Sequence, residues 1–433
     1  MASVGRGGPI GLRNSGSKAA TALLAVISFV CVMGGVAFVS AAPASANMGI
    51  CKTSQQPYGD LTQAQATMSA EPTVDLTHAT ASAQGTVAAR GHAYVYDWDC
   101  TGDDAGLAPY YRRYQYNSLG PNYQNRFARL GTGSYRVWFA GLGLVGGVAH
   151  VTAYGPNQSG QCKIAYWGPD NIDQAVTIYC FDANGNLVDR QFTATYTNEV
   201  ASSYGFGYLW ADSPTASSYT PATAYQFSTA GLPNTIVRTG TGKYKVTMTG
   251  LAKSAPNSAV LVSAYGVTQD AYGKITNGTV GCQVGTSAGT FATVNCFAGG
   301  TPTDAMFTLT YVGQGNILDA PNAPLINVTP TTALPSSYAW VDGTSATAPD
   351  PTWRFSTAGP DTWAQSYDAA NVITYVSVPV YSGWGDVQVV AYGTVASYCS
   401  VTSWADRSIG VQCWSPPGKL TTTPFTVFFT GAV

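Results

Sequence analysis

One order of aromatic, alanine and cysteine residues is written three times along this chain of 433 residues, and no other feature restricts its fold as tightly. The first copy runs through Tyr96, Trp98, Tyr116, Asn117, Ala153-Tyr154-Gly155, Cys162, Cys180, Phe192, Thr193 and Tyr196. The second carries Tyr208, Trp210, Phe227, Ser228, Ala264-Tyr265-Gly266, Cys282, Cys296, Phe307, Thr308 and Tyr311. The third carries Tyr338, Trp340, Phe355, Ser356, Ala391-Tyr392-Gly393, Cys399, Cys413, Phe425 and Thr426. A period of roughly 110 to 120 residues is the size of a domain with a core of its own, not of a short solenoid unit that must stack to bury anything. The expected organisation is a leader at 1–46, an extended segment at 47–88, three β domains at 89–200, 201–312 and 336–433, and a proline-bearing linker at 313–335.

Within each copy apolar and polar residues alternate between glycine-bounded turns, the period of half-buried strands. In the first copy this predicts strands at 93–98, 114–117, 126–130, 135–139, 148–154 and 192–196, and a disulfide-linked hairpin of 163–167 with 176–181. The fold class is all-β, three tandem antiparallel β-sandwiches of Ig-like or jelly-roll-like topology. Gly131-Thr132-Gly133 and Gly240-Thr241-Gly242 separate alternating runs and suit tight hairpins. The third copy lacks that turn, and Pro379 there predicts an edge strand. In the Ala-Tyr-Gly strand, Ala149, Val151 and Ala153 match Val260, Val262 and Ala264, then Val387, Val389 and Ala391, which makes that face the core side. The opposite face varies from His150 and Thr152 to Leu261 and Ser263 to Gln388 and Val390, keeping only its tyrosine, and reads as outward.

Arg6, Arg13 and Lys18 precede an apolar stretch from Ala19 to Ala42, and Ala44-Ser45-Ala46 supplies the small residues of a secretory cleavage site. The stretch is long enough to serve as an uncleaved anchor, and cleavage before Asn47 is the expectation. Eight of the nine cysteines then remain, an even number that reads as four disulfides in an exported chain. Equivalent positions in the copies suggest Cys162 with Cys180, Cys282 with Cys296 and Cys399 with Cys413, leaving Cys51 and Cys100 to tie the leading segment to the first domain. No Cys-x-x-Cys or clustered histidine accompanies them, so neither metal nor cofactor is expected.

Charged residues make up 10 % of the chain, against about 25 % for an average soluble protein. Removing Arg6, Arg13 and Lys18 takes 20 basic and 22 acidic residues to 17 and 22, a net of about −5. No basic stripe exists to meet phosphates, which excludes nucleic acid as partner. A surface of Thr, Ser, Gly, Asn and Tyr suits the outside of a cell, with a cell-wall glycan or another surface polymer as the expected partner and no membrane after the leader is cut. Oligomeric state is not legible in the sequence.

Chemistry has few carriers: three histidines (His78, His92, His150) and two glutamates (Glu71, Glu199). Asp97, Asp99, Asp103 and Asp104 form the densest acidic cluster, but position twelve from Asp97 is Ala108, where a calcium-binding EF-hand loop needs glutamate. An extracellular hydrolase would have to draw on Asp97, Asp99 and His150, with His150 within hydrogen-bond reach of a carboxylate. Gly285-Thr286-Ser287-Ala288-Gly289 fits a nucleophile elbow and Gly141-x-Gly143-x-x-Gly146 a dinucleotide loop; neither is followed by a helical pattern, so both read as turns. The 27 tyrosines and 10 tryptophans are the stronger lead. Tyr110, Tyr111, Tyr114, Trp363, Tyr367 and Trp384 are copy-specific and are expected to face ligand if any aromatic does, whereas the recurring Tyr-x-Trp pairs read as packing.

The pattern Arg-x-Gly-Thr-Gly-x-Tyr-x-Val, then Val-x-Ala-Tyr-Gly, Cys, Cys-Phe and Phe-Thr-x-Thr-Tyr resembles secreted, functionally unassigned β-repeat proteins of high-GC Gram-positive bacteria. The resemblance covers about 91–433, is best in the first two copies, and implies export and β domains but no activity. The leading expectation is a secreted, non-catalytic repeat protein with a binding or structural role at the cell surface or in the medium. Its alternatives are a carbohydrate-binding array using exposed Tyr and Trp, and an extracellular hydrolase with its site in the first copy.

Overall fold

The computed structural model describes residues 89–95, 114–120, 122–198, 205–251, 258–288, 290–318, 334–360, 362–380, 382 and 384–431. Their regular structure is strand apart from two short 3₁₀ turns. The first copy supplies β1 (Ala89–Val95), β2 (Gln115–Asn117), β3 (Arg126–Gly131), β4 (Ser134–Phe139), β5 (Val148–Tyr154), β6 (Gly160–Asp170), β7 (Asp173–Asp182) and β8 (Gln191–Asn198). The second supplies β9 (Gly205–Ala211), β10 (Ser218–Tyr219), β11 (Gln226–Ser228), β12 (Thr235–Gly240), β13 (Lys243–Thr247), β14 (Ser258–Tyr265), β15 (Val280–Ala288), β16 (Phe291–Ala298), β17 (Thr301–Pro302) and β18 (Met306–Gly313). The third supplies β19 (Ser336–Val341), β20 (Arg354–Ser356), β21 (Ala364–Asp368), β22 (Ile373–Ser377), β23 (Asp386–Ala391), β24 (Tyr398–Ala405), β25 (Ser408–Ser415), β26 (Lys419–Thr421) and β27 (Phe425–Thr430).

Each copy folds its eight main strands into two four-stranded sheets. In the first, β2-β1-β8-β5 forms an inner sheet and β3-β4-β7-β6 an outer one; the second repeats this as β11-β9-β18-β14 and β12-β13-β16-β15, the third as β20-β19-β27-β23 and β21-β22-β25-β24. All pairing inside a copy is antiparallel. The edge of each inner sheet then meets the outer sheet of another copy in parallel, through Tyr265 with Ile164, Val401 with Tyr154, and the single bridge Val284 with Tyr392. The second copy leans on the first, the third on the second, and the first on the third. That closes a ring. The central strands β5, β14 and β23 touch one another, and the described residues fall in one compact unit. Each copy thus packs two antiparallel sheets, but the copies share sheets across their junctions and are not strung out singly.

Three apolar clusters each centre on one copy, and two of them take in residues of a neighbouring copy, such as Tyr338 and Phe428 in the second and Tyr94 in the third. The first holds Phe127, Tyr135, Val137, Phe139, Val151, Ile178 and Phe192; the second Phe206, Tyr244, Val246, Val262, Val294 and Phe307; the third Val341, Val376, Val389, Val411, Phe425 and Val427. Cys162–Cys180, Cys282–Cys296 and Cys399–Cys413 are disulfide-bonded across facing positions of the hairpins β6-β7, β15-β16 and β24-β25. Cys51 and Cys100 lie outside the described residues, as do the leader, the extended segment and most of the proposed linker.

Both Gly-Thr-Gly turns are hairpins, and each is clamped by an aspartate the motif did not include. Asp189 accepts two bonds from the Arg129 guanidinium (2.9 and 2.8 Å), one from Gly133 N (2.9 Å) and one from the Tyr135 hydroxyl (3.0 Å). Asp304 repeats the set with Arg238, Gly242 N and Tyr244. Gly133 and Gly242 have positive φ, and a Cβ at Gly242 would stand 2.4 Å from the Cys296 carbonyl. In the third copy the Asp368 side chain caps the turn instead, accepting from Ala370 N and Asn371 N. Pro379 does not mark an edge: β22 ends before it and lies between β25 and β21.

Backbone register also shifts the alignment of the first copy. Tyr94, Trp210 and Trp340 each pair with the equivalent threonine of the strand that follows the hairpin, Thr193, Thr308 and Thr426. The partner of the Tyr208-x-Trp210 pair is therefore His92-x-Tyr94, four residues before Tyr96 and Trp98, which lie outside the described residues.

Candidate functional site

The copy junctions gather the aromatic residues. At the junction of the second copy with the first, Trp210, Tyr225 and Tyr265 form three walls around Trp167, whose ring centroid is 5.4, 5.8 and 5.2 Å from theirs. At the junction of the first copy with the third, Tyr94, Tyr114 and Tyr154 surround Trp404 at 4.7, 5.8 and 5.2 Å. Edge-on contacts at these separations are the favoured geometry of aromatic pairs. The plugging tryptophan is aimed by a β-bulge that recurs in all three outer sheets, between Ile164 and Tyr166, Val284 and Thr286, and Val401 and Ser403.

The third junction has the same walls, Trp340, Trp353 and Tyr392, with Trp340 and Tyr392 centroids 6.0 Å apart. Its plug is missing. Five residues after the first cysteine of the hairpin, where the other copies carry Trp167 and Trp404, the second copy carries Ser287. A cavity of about 170 Å³ remains, lined also by Ser258, Ala259, Val260, Val284 and Thr426. Ser287 N donates to the Tyr392 hydroxyl at 3.0 Å, and the buried Trp340 indole N–H has no hydrogen-bond partner among the described residues.

Between the inner sheets the variable face of the central strand is buried, contrary to its reading as outward. His150 is 1 % exposed; its Nδ1 lies 3.1 Å from Ser263 Oγ and its Nε2 2.8 Å from Thr310 Oγ1, both in the second copy. Burial pushes the imidazole down to about 3, so it is neutral at physiological pH. Towards the third copy, Thr152 donates to Gln388 Oε1 (2.6 Å), and Gln388 Nε2 reaches Thr193 Oγ1 (2.9 Å) and the Asp386 carboxylate (3.1 Å). Burial drives Asp386 up to about 8, against the opposing pull of Gln388. The second and third copies meet through apolar Leu261, Tyr338, Val390 and Phe428. Lys163, fully buried, donates to the Asn277 carbonyl of the second copy at 3.0 Å, and burial lowers it to about 7.

Of the aromatics expected to face ligand, Tyr114 is a wall of the box around Trp404 and Trp363 is 8 % exposed inside the third core. Trp363 is held there because β21 carries its neighbours onto the outer sheet, with the Arg354 guanidinium 5.7 Å from its ring. Tyr367 is half-buried and Trp384 is 41 % exposed; Tyr110 and Tyr111 lie outside the described residues, as do Asp97, Asp99, Asp103, Asp104 and His78. Ser287 of the dismissed nucleophile-elbow match lines the cavity, on a strand edge with no helix after it. Trp353 and Trp340 were not singled out as ligand-facing; the missing tryptophan at Ser287 was the available signal.

No family model, curated protein or solved structure matches this chain. Among the described residues no helix is long and apolar enough to cross a membrane.

Proposed function

We propose that the chain is an exported, non-catalytic protein that acts by binding or as a structural part of the outside of the cell. The observation that carries this reading is where its reactive groups are spent. His150 and Lys163 are each buried at a junction and bonded to hydroxyl or carbonyl partners of another copy, and buried Asp386 accepts from Gln388, which in turn bonds to Thr152 and Thr193 of the first copy; this is the work of holding three copies together. Three disulfides fit an oxidising compartment, and the resemblance to secreted β-repeat proteins of high-GC Gram-positive bacteria points the same way. For the hydrolase alternative, the ring nitrogens of His150 face hydroxyls, and among the described residues no carboxylate bonds to them.

A glycan-binding array has less support, because an array needs equivalent exposed rings and the exposed ones among the described residues, Tyr123, Tyr166, Tyr272 and Trp384, occupy unlike positions in the copies. Fractionation of cells expressing the chain, followed by retention of the purified protein on peptidoglycan, cellulose and chitin, tests both readings. Recovery in the medium or the wall fraction is expected. Recovery in the cytoplasm would remove the proposal, and strong retention on one polymer would promote the array.

A further inference from the structure

We infer that the cavity at the junction of the second and third copies is a binding site for a neutral planar aromatic ring of indole size. The protein supplies its own template. In two of three equivalent places the space between the walls holds the indole of Trp167 or Trp404, delivered by the same bulge of the same strand. At the third, Ser287 leaves that space open between Trp340, Trp353 and Tyr392. Its volume, about 170 Å³, matches the order of 150 Å³ at which an apolar cavity accepts a benzene-sized guest. The lining also discriminates by chemistry. Among the described residues the lining holds no carboxylate, which disfavours an organic cation that would otherwise suit an aromatic cage. Among the described residues its polar side chains are few, the hydroxyls of Ser258, Ser287, Thr426 and Tyr392, which serve one or two ligand heteroatoms but not the ring of hydroxyls on a sugar. The site is independent of where the protein works.

The test is calorimetric titration of the whole disulfide-bonded protein with indole, with methyl glucoside and tetramethylammonium as control probes. The expected result is one indole per chain and little heat from either control. Ser287→Trp, which restores the plug, is expected to weaken indole binding at least tenfold while the folded signal persists. Trp404→Ser, which opens the equivalent box, is expected to raise the stoichiometry to two. Should Trp404→Ser not fold, the Ser287→Trp comparison decides alone. Absence of indole binding to the unaltered protein, unchanged affinity in Ser287→Trp, or tighter binding of either control probe would each overturn the assignment.

Discussion

Replacing His150 by glutamine, the residue that the third copy carries at the equivalent Gln388, should change how stability depends on pH. Burial lowers the His150 imidazole from its ordinary 6.5 to about 3. Between those values the unfolded chain binds a proton that the folded protein refuses, so the stability that neutral His150 contributes is complete above the unfolded value and is lost as pH falls. Each pH unit inside the window is worth about 1.4 kcal/mol, and from pH 7 to pH 5 the loss integrates to about 2 kcal/mol. His92, lowered to about 4 chiefly by burial, adds a loss of the same sign, and Asp386, raised to about 8 by burial, an opposite one. Both are present in the parent and the variant and cancel in their difference. Urea unfolding followed by tryptophan fluorescence at pH 7, 6 and 5 supplies the measurement. The parent should lose about 2 kcal/mol more than His150→Gln between pH 7 and pH 5. Parallel curves would mean that His150 titrates normally in the fold and that the face it occupies is open to water, which refutes burial of the central strands against one another.

Trp404→Ala removes the plug of one box and should cost about 3 to 5 kcal/mol, as large-to-small changes at buried aromatic sites do, whereas Tyr272→Ala, at a site 95 % exposed, should stay within about 0.5 kcal/mol. Equal midpoints for the two in urea would contradict the packing role of the box. The double change Cys399→Ala with Cys413→Ala opens a crosslink of sequence separation 14 and should lower stability by about 3 kcal/mol, read as a shift in denaturation midpoint without loss of the β signal in circular dichroism. No shift would mean that this bridge constrains little of the unfolded chain.

Much of the local structure was legible in the chain. Cysteines at matching places in the copies found their partners, because each pair sits at facing positions of a hairpin that the alternation already marked. Core residues such as Val151, Val262 and Val389 were found because period-2 alternation reports which residues share a face. What that period cannot report is what the second face meets. His150, Leu261 and Gln388 vary as solvent-facing residues do, yet here the variation reflects three unlike junctions: hydroxyls receive His150, two threonine hydroxyls and a carboxylate gather at Gln388, and Leu261 packs in an apolar cluster. The aspartates that clamp the Gly-Thr-Gly turns were missed because Asp189 and Asp304 lie 60 and 66 residues from the arginines they bind. The absent tryptophan at Ser287 was visible as a difference between copies, but it acquires meaning only once Trp167 and Trp404 are seen inside boxes built by another copy.

Scanning calorimetry addresses the closed ring most directly. If the copies unfold together, the calorimetric enthalpy should equal the van't Hoff enthalpy, a ratio of about 1; copies that melt singly would give a ratio near 3, of the order expected for three separate cooperative units. A ratio of about 1 is the result that shared sheets and plugged boxes predict, and three resolvable transitions would contradict them.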